Sequence, residues 1–587
     1  MLAEQHKALL QDALNGACAI VAGKPVTVAW QKPRDTAHGD YATPIAMQLA
    51  RQLKRPPRDI ADEILRELSL PDCIESANVA GSGYINICLK KSAKTAVIGE
   101  IFRLGAAYGR SSAQNETIIL EFVSANPTGP LHVGHGRAAA FGDSLANILT
   151  FAGYEVRREY YLNDTGRQAA ILAASVWLRF WLQHEKNDSE MPQGSYRGDY
   201  LQIIVTDVAE HLTAQTPPEL SKLLKSLADA ADADAAADKL VAAMHDSVSC
   251  AEVDTFTSAV VQAVTTKNIR KDLEALGVKP FDRWFSEKSL HTDDKLRVGI
   301  EALRNASADN LYEQDGALWF RATAFGDDKD RVLRRANGQF TYFAADIAYH
   351  HDKLTRSVTA GHRLQLINVL GADHHGYVPR LCAAVTALGH AANAIETRLI
   401  QFVALMEEGK RLKMSTRAGE FIPLTTLVDK VGCDAARYFY VSRKNDQHLD
   451  FDLQLAVEKS GSNPVYYAQY AHARADSILR KWGGTPTVLT SADASLLADD
   501  AAAVMLCEQL AAFPGVVAHA ARERVTHLLT VFIQDLATAM HNYYEKTRIL
   551  SGTEDDLMRS RLALVDAARQ VLASALGLLG VSAPTRM

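Results

Sequence analysis

The spacing of apolar positions changes several times along the chain, and each change marks an element. Residues 117–123, Thr-Ile-Ile-Leu-Glu-Phe-Val, form a β-branched, apolar run of strand length. Phe141, Leu145, Ile148, Leu149 and Ala152 then recur at helical spacing until Gly153. A Pro/Gly loop lies between them, so the pattern predicts strand, loop, helix. In an α/β sheet that places a ligand at a strand's carboxyl end, facing a helix N-terminus whose free N–H groups attract phosphate. Strands are also expected at 26–30, 84–89, 154–162, 316–321, 364–370 and 398–406. Helical spacing covers 3–21, 42–54, 59–68, 91–104, 223–246, 525–544 and 557–579.

These elements predict a multidomain α/β protein. Residues 1–112 read as an α+β domain. Residues 113–400 read as a Rossmann-type parallel-sheet catalytic domain with a mostly helical insertion at 196–282. Residues 401–460 carry a basic loop, and 461–587 read as all-helical.

Composition narrows the class. A chain of 587 residues, 48% hydrophobic and 22% charged, fits a soluble globular protein of several domains. The net charge of −6 provides no global basic field, so a nucleic-acid partner needs local basic patches. Seven scattered cysteines, at 18, 73, 88, 250, 382, 433 and 507, contain no C-x-x-C pair. That argues against a disulfide framework and a structural zinc site, and for a reducing cytoplasm. The N-terminus does not read as a signal peptide, and no apolar run is expected to cross a membrane.

The candidate chemistry sits in polar loops at strand ends. The first runs Ala125, Asn126, Pro127, Thr128, Gly129, Pro130, Leu131, His132, Val133, Gly134, His135. His132 and His135 can donate hydrogen bonds to phosphate oxygens, and Gly134 lets a nucleotide approach the backbone. On their own, two histidines in a surface loop are unremarkable; the strand and helix around them make the nucleotide reading the better one. A second such loop holds Asp373, His374 and His375 between two glycines. Two adjacent histidines without further Cys or His ligands make a poor tetrahedral metal site, so no metal ligand is assigned. A third stretch, 407–420, carries Lys410, Lys413 and Arg417. A charge run is ordinarily a solvated face, but beside a nucleotide loop it becomes a clamp on transferring phosphates. Tyr342 and Asp346 fall one helical turn apart.

Residues 125–135 resemble the "HIGH" signature of class I aminoacyl-tRNA synthetases, with Val133 in second place, and their flanks resemble bacterial-type arginyl-tRNA synthetases. Residues 413–417, Lys-Met-Ser-Thr-Arg, are similar to the family's "KMSKS" loop, but Thr416 and Arg417 stand in its last two places. The second lysine is missing, and Lys410, Lys413 and Arg417 are the candidates for its charge. The resemblance covers most of the chain and implies an arginine–tRNA ligase, using ATP with Mg²⁺ as a substrate complex and no zinc. It implies an arginine site of Glu121, Ser124, Asn126, His132, Tyr342 and Asp346. Paired carboxylates suit a guanidinium, which offers five donors in a planar fork; alone, Glu121 reads equally as a strand carboxylate paired with a local base. ATP is expected on Pro127, His132, Gly134, His135, Asp373, Met414 and Ser415. tRNA is expected on Tyr84 and Asn86 in a domain that reads the D-loop, and on Tyr466, Tyr470, Arg474 and Met587 in an anticodon-binding domain of the DALR type. A tyrosine stripe at helical spacing is also what a helix core looks like. No DNA or membrane partner is expected, and a monomer is. A nucleotidyltransferase acting on a small substrate shares the histidine loop, and a degenerate synthetase acting as a scaffold shares the domains.

Overall fold

The computed structural model describes residues 2–587 apart from 32, 34–37, 213–217, 413–420, 485 and 551–554. The chain opens with α1 (Leu2–Ala22), β1 (Tyr41–Thr43), α2 (Ile45–Leu53), α3 (Pro57–Glu67), β2 (Ile74–Ala80) and β3 (Tyr84–Leu89). The strands form an antiparallel sheet in the order β1-β3-β2. Ile85 and Ile87 of β3 are fully buried against the helices, so Tyr84 and Asn86 face the other way. The strand expected at 26–30 is absent. Gln11 of α1 donates to the Val28 carbonyl and Asn15 accepts from its N–H, so side chains satisfy a backbone that a ladder would otherwise pair. The helix expected at 91–104 is broken into α4 (Lys91–Thr95) and α5 (Val97–Leu104). Thr95 bonds back to the carbonyl of Ser92 at the break, a contact that bends helices.

The catalytic region begins with β4 (Glu116–Glu121), α6 (Val133–Phe151), β5 (Glu155–Leu162) and α7 (Gly166–His184). The insertion follows as α8 (Tyr200–Val208), α9 (Leu220–Ala228), α10 (Ala233–Ser247), α11 (Cys250–Val264), a π-helical turn at Thr265–Ile269 and α12 (Arg270–Ala275). It packs with α7 around its own core of Trp177, Leu201, Phe256 and Val260. The helix expected at 223–246 is therefore two helices, and Asp232 caps the second through the Ala235 N–H. Next come β6 (Arg283–Ser286), α13 (Lys288–Thr292), α14 (Lys295–Ala306), the antiparallel strands β7 (Leu311–Gln314), β8 (Ala317–Phe320) and β9 (Arg331–Arg334), then α15 (Tyr342–Leu354), β10 (Arg363–Gly371), α16 (Val378–Ala387) and β11 (Ile395–Ile400).

The main sheet is parallel throughout, in the order β11-β10-β4-β5-β6. Central β4 is buried on both faces, which is why its sequence is apolar without alternation. The connection after β4 runs to β5 on one side, while β10 closes on the other. The strand order reverses at β4, and the crevice opens at its carboxyl end, where the signature loop begins.

The strand expected at 398–406 is two strands in different sheets, β11 and β12 (Val403–Glu407). The carbonyl of Gln401 between them accepts from the buried guanidinium of Arg137 on α6 instead of joining a ladder. Arg137 also holds the carbonyls of Lys444 and Gln447, tying the signature helix to this corner. β12 pairs with β13 (Lys410–Arg411) and, across α17 (Leu424–Val431) and α18 (Cys433–Val441), with β14 (Leu449–Asp452), which leads into α19 (Leu453–Val457).

The C-terminal part is helical: α20 (Pro464–Trp482), α21 (Ala501–Glu523), α22 (His527–Lys546) and α23 (Asp555–Leu578). By length and composition α21 can cross a bilayer, contrary to expectation. Its apolarity has another use here, because Leu506, Leu510, Phe513, Val517 and Ala520 are fully buried in the shared core. The end of α23 rests on α6: Ser144 and Asn147 donate to the carbonyls of Leu579 and Leu578. Arg437 of α18, fully buried, joins Leu579, Leu276 and the Asp143 carboxylate. One buried ion pair thus fastens the signature helix, the insertion and the C-terminal helices together.

Candidate active site

The turn that leaves β4 is strained. Val123 and Ser124 both have positive φ, 69° and 40°, in a region that a β-branched residue adopts at a cost of roughly 1–3 kcal/mol. The Ser124 N–H reaches the carbonyl of Phe122, closing a tight turn. The turn aims the Ser124 hydroxyl inward. It donates to Glu121 at 3.0 Å and accepts from the Tyr161 N–H at 3.1 Å. Beyond it, Tyr160 holds the carbonyl of Ala125, and Asn126 is exposed in the crevice.

His132 caps α6. Its Nδ1 accepts from the N–H groups of Gly134 and His135, while the His135 Nδ1 accepts from the His132 N–H. With both Nδ1 atoms serving as acceptors, the ring protons sit on Nε2, free to donate outward. Burial lowers the pKa of His132, and burial plus the neighbouring His132 takes His135 down to about 3. Both rings are therefore neutral donors at physiological pH. Gly134 also has a structural reason to lack a side chain. A Cβ there would lie 2.9 Å from Cε1 of His132, so the glycine makes room for its own capping histidine.

The described residues on either side of the basic loop are tied to neighbouring backbone. Leu412 bonds to Leu405 at its start. At its far side Phe421 lies 6.2 Å from the His132 ring, and Ile422 and Leu424 bond to the backbone of Val133 and Leu131. Lys410 is exposed on β13. Lys413, Met414, Ser415 and Arg417 lie outside the described residues. Asp373 is exposed on the turn that follows β10, the strand next to β4.

Three carboxylates, Glu121 at the end of β4, Asp346 on α15 and Glu287 after β6, differ in their electrostatics. Glu121 is spoken for. Lys353, fully buried, pairs with it, and the Tyr349 hydroxyl donates to it at 3.1 Å. Burial alone would raise the Glu121 pKa, but Lys353 holds it below the usual range. The Asp346 carboxylate accepts only from the Tyr377 hydroxyl among its described hydrogen-bond partners. Burial, then Glu121 and Glu287, push its pKa up to about 8. Glu287, buried at the end of β6, is pushed up to about 7 by burial and Asp164, against the pull of a Tyr161 hydrogen bond. Asp346 and Glu287 thus interact electrostatically and both favour the protonated form, with Lys353 and Arg380 opposing the shift at Asp346. Tyr342 stands one turn from Asp346 and is 70% exposed at its mouth.

Family models match nearly the whole chain: an arginyl tRNA synthetase N terminal domain at 4–89, a class I (R) tRNA synthetase catalytic domain at 98–482 and a DALR anticodon binding domain at 468–587. An arginine–tRNA ligase from Nitrosomonas europaea is 44% identical over 96% of this chain and 95% of its own length; one from Nitrosospira multiformis is 45% identical over 99% and 97%. The arginyl-tRNA synthetase structure from Thermus thermophilus superposes with a TM-score of 0.71 at 25% identity, covering 99% of this chain and 100% of that one. The chain belongs to the arginyl-tRNA synthetase family.

The sequence motifs point to Glu121 and Asp346 but not to Glu287, whose carboxyl acts electrostatically on Asp346 in the fold. That glutamate stands in Trp284-Phe-Ser-Glu287, a strand end that reads as ordinary. The expected tRNA residues fall on two outer faces. Asn86 lies opposite Asn78 on the open face of the first sheet. On α20, Tyr466 stacks with Tyr470, and Arg474 lies over the rings of Tyr470 and Tyr544. The stripe is thus largely a surface feature: Tyr470 is 38% exposed, while Val465, Ala468 and Ala471 fill the core. Met587 is exposed at the end of a tail held on α20 by His472 and Arg480.

Proposed function

We infer that the chain is an arginine–tRNA ligase, activating arginine with ATP and passing the arginyl group to the 3′-terminal adenosine of its tRNA. The observation that supports this reading is the stacked, neutral histidine pair capping α6 at the end of β4, together with the carboxyls Asp346 and Glu287, whose mutual repulsion a cation would relieve. A guanidinium supplies that charge and, with its planar fork, can bridge both carboxylates. Glu121, already balanced by Lys353, serves as a further acceptor in that wall, and Tyr342 covers the opening. Ser124 and Asn126 meet the amine and carboxylate of arginine. A pocket with buried groups that need this partner rejects lookalikes by about 10⁴–10⁵.

In the first step the arginine carboxylate attacks the α-phosphate and pyrophosphate leaves. The Nε2–H donors of His132 and His135 stabilise the charge that builds on the phosphate oxygens, backed by the dipole of α6, whose first N–H groups are not free as expected but are taken by His132 and Ile422. Lys410, Lys413 and Arg417 close on the departing phosphates, with Mg²⁺ arriving on ATP. Pro127, Gly134, Asp373, Met414 and Ser415 border the nucleotide. In the second step the 2′-hydroxyl of the terminal adenosine takes the acyl group. Residues 1–112 read the tRNA corner through Tyr84 and Asn86; 113–400 perform the chemistry; 401–460 carry the basic loop; 461–587 hold the anticodon arm through Tyr466, Tyr470, Arg474 and Met587. The enzyme works as a cytoplasmic monomer without zinc, membrane or DNA.

ATP–pyrophosphate exchange across all twenty amino acids, with and without tRNA, tests the reading. Exchange with arginine alone, and only when tRNA is present, is expected. Exchange driven by a different amino acid ends it.

A further inference from the structure

We propose that the helical insertion, residues 196–282, is a positioning module for the signature loop, gripping it at Thr128 with Tyr200 and at Leu131 with Asp272. The Tyr200 hydroxyl donates to the Thr128 carbonyl at 2.6 Å. The Asp272 carboxylate accepts from the Leu131 N–H, also at 2.6 Å. The two residues stand near opposite ends of the insertion, on α8 and α12, and the four loop residues they bracket end at His132.

Neither contact is incidental packing. Residues 128–131 contain Gly129 and Pro130 and make no helix or strand, so their shape depends on what holds them. Gly129 has φ 158°, and a Cβ on it would lie 3.1 Å from Cζ of Tyr200, so the tyrosine ring is seated directly on the loop. Asp272 is buried, and its described partner is the Leu131 N–H rather than a cation. Its direction depends on the π-helical turn just before it: one extra residue rotates everything downstream by about 100°. Tyr200 packs on the insertion's own core, while α12, which carries Asp272, packs through Leu273 and the flanking Ile269 and Leu276 into the catalytic core, so the loop is held from both sides of the insertion.

A positioning role predicts a particular kinetic signature. A loop displaced by a fraction of an ångström misplaces the histidine donors at the α-phosphate more than the carboxylates on β4 and α15 that would hold the guanidinium. The proposal rests on the reading of this loop as the ATP site. It is tested with the full chain, arginine, ATP and tRNA in pyrophosphate exchange. Tyr200→Phe removes one oxygen and keeps the ring against Gly129. It is expected to lower kcat about tenfold with the KM for arginine within twofold. Asp272→Ala is expected to do the same, and Asp272→Asn, which keeps a carbonyl oxygen for Leu131, to recover to within threefold of the parent. Should Asp272→Ala fail to fold, Tyr200→Phe decides alone. A fall of less than threefold in Tyr200→Phe, or an equal rise in arginine KM, overturns the proposal. A parent chain that performs no exchange with arginine refutes the underlying function instead.

Discussion

His132 and His135 lie face to face, their ring centroids 3.6 Å apart and their planes 18° from parallel. Two imidazolium rings could not share that space, and burial already favours the neutral forms. At saturating arginine the exchange rate should therefore show no histidine limb near pH 6.5. A rate that falls as pH rises through 6.5 would mean that one ring acts as a cation. His132→Ala should lower adenylate formation at least about tenfold, since it removes both a donor and the cap that orients its partner.

Asp346 must be ionised to bind a guanidinium, and its pKa in the free protein is raised to about 8 by burial, Glu121 and Glu287, with Lys353 and Arg380 pulling the other way. The KM for arginine should accordingly fall as pH rises from 6 to 8 and level off above. Asp346→Asn should flatten that dependence and raise the KM steeply, with the KM for ATP little changed. The same raised pKa destabilises the free fold. A carboxyl that prefers its proton in the folded state costs increasing stability as pH climbs from its unfolded value toward 8. Asp346→Asn should therefore raise Tm by about 2 °C or more at pH 8.5 and by less at pH 5. A melting scan at the two pH values checks the sign.

Glu121 and Glu287 separate by what each leaves behind. Glu121→Gln strands the buried Lys353 and should destabilise the fold by about 3–5 kcal/mol in denaturant unfolding. Glu287→Gln removes an uncompensated charge, so stability should hold or rise while arginine KM increases at least about tenfold. If Glu121→Gln is as stable as the parent, the buried pair does not hold the strand to α15 as the geometry indicates.

What was legible in the sequence had a local cause. The strand, loop and helix around His132 follow from apolar period and Pro/Gly content, and the helical C-terminal region follows in the same way. What was not legible depended on distant partners. Residues 26–30 look like a strand but find their hydrogen bonds on Gln11 and Asn15. Residues 398–406 look continuous but part at Gln401, whose carbonyl turns to Arg137, 264 positions earlier. Glu121 reads equally as a ligand carboxylate or as a paired strand carboxylate, and only the fold shows that Lys353 is the partner. α21 passes for a membrane span by length and composition, yet its Leu506, Leu510, Phe513 and Val517 face packs into the helical core. Each miss is a tertiary contact overriding a local pattern.

The last expectation concerns the outer face of α20. Arg474 is held by the Tyr470 hydroxyl at 3.0 Å, by His541 at 3.1 Å and by two aromatic faces, each 4.5 Å from its guanidinium carbon. This makes a rigid, cationic, ring-bearing surface, the combination on which unpaired bases stack. Tyr470→Ala should therefore weaken tRNA binding by about 1–3 kcal/mol, read as a rise in Kd at fixed salt. Arg474→Lys keeps the charge but loses the planar fork, so it should weaken binding nearly as much as Arg474→Ala. Because neither residue approaches the crevice, the charging rate at saturating tRNA should stay within about twofold of the parent. If Arg474→Lys binds tRNA as tightly as the parent, only the charge matters there and the stacking role of this face is wrong.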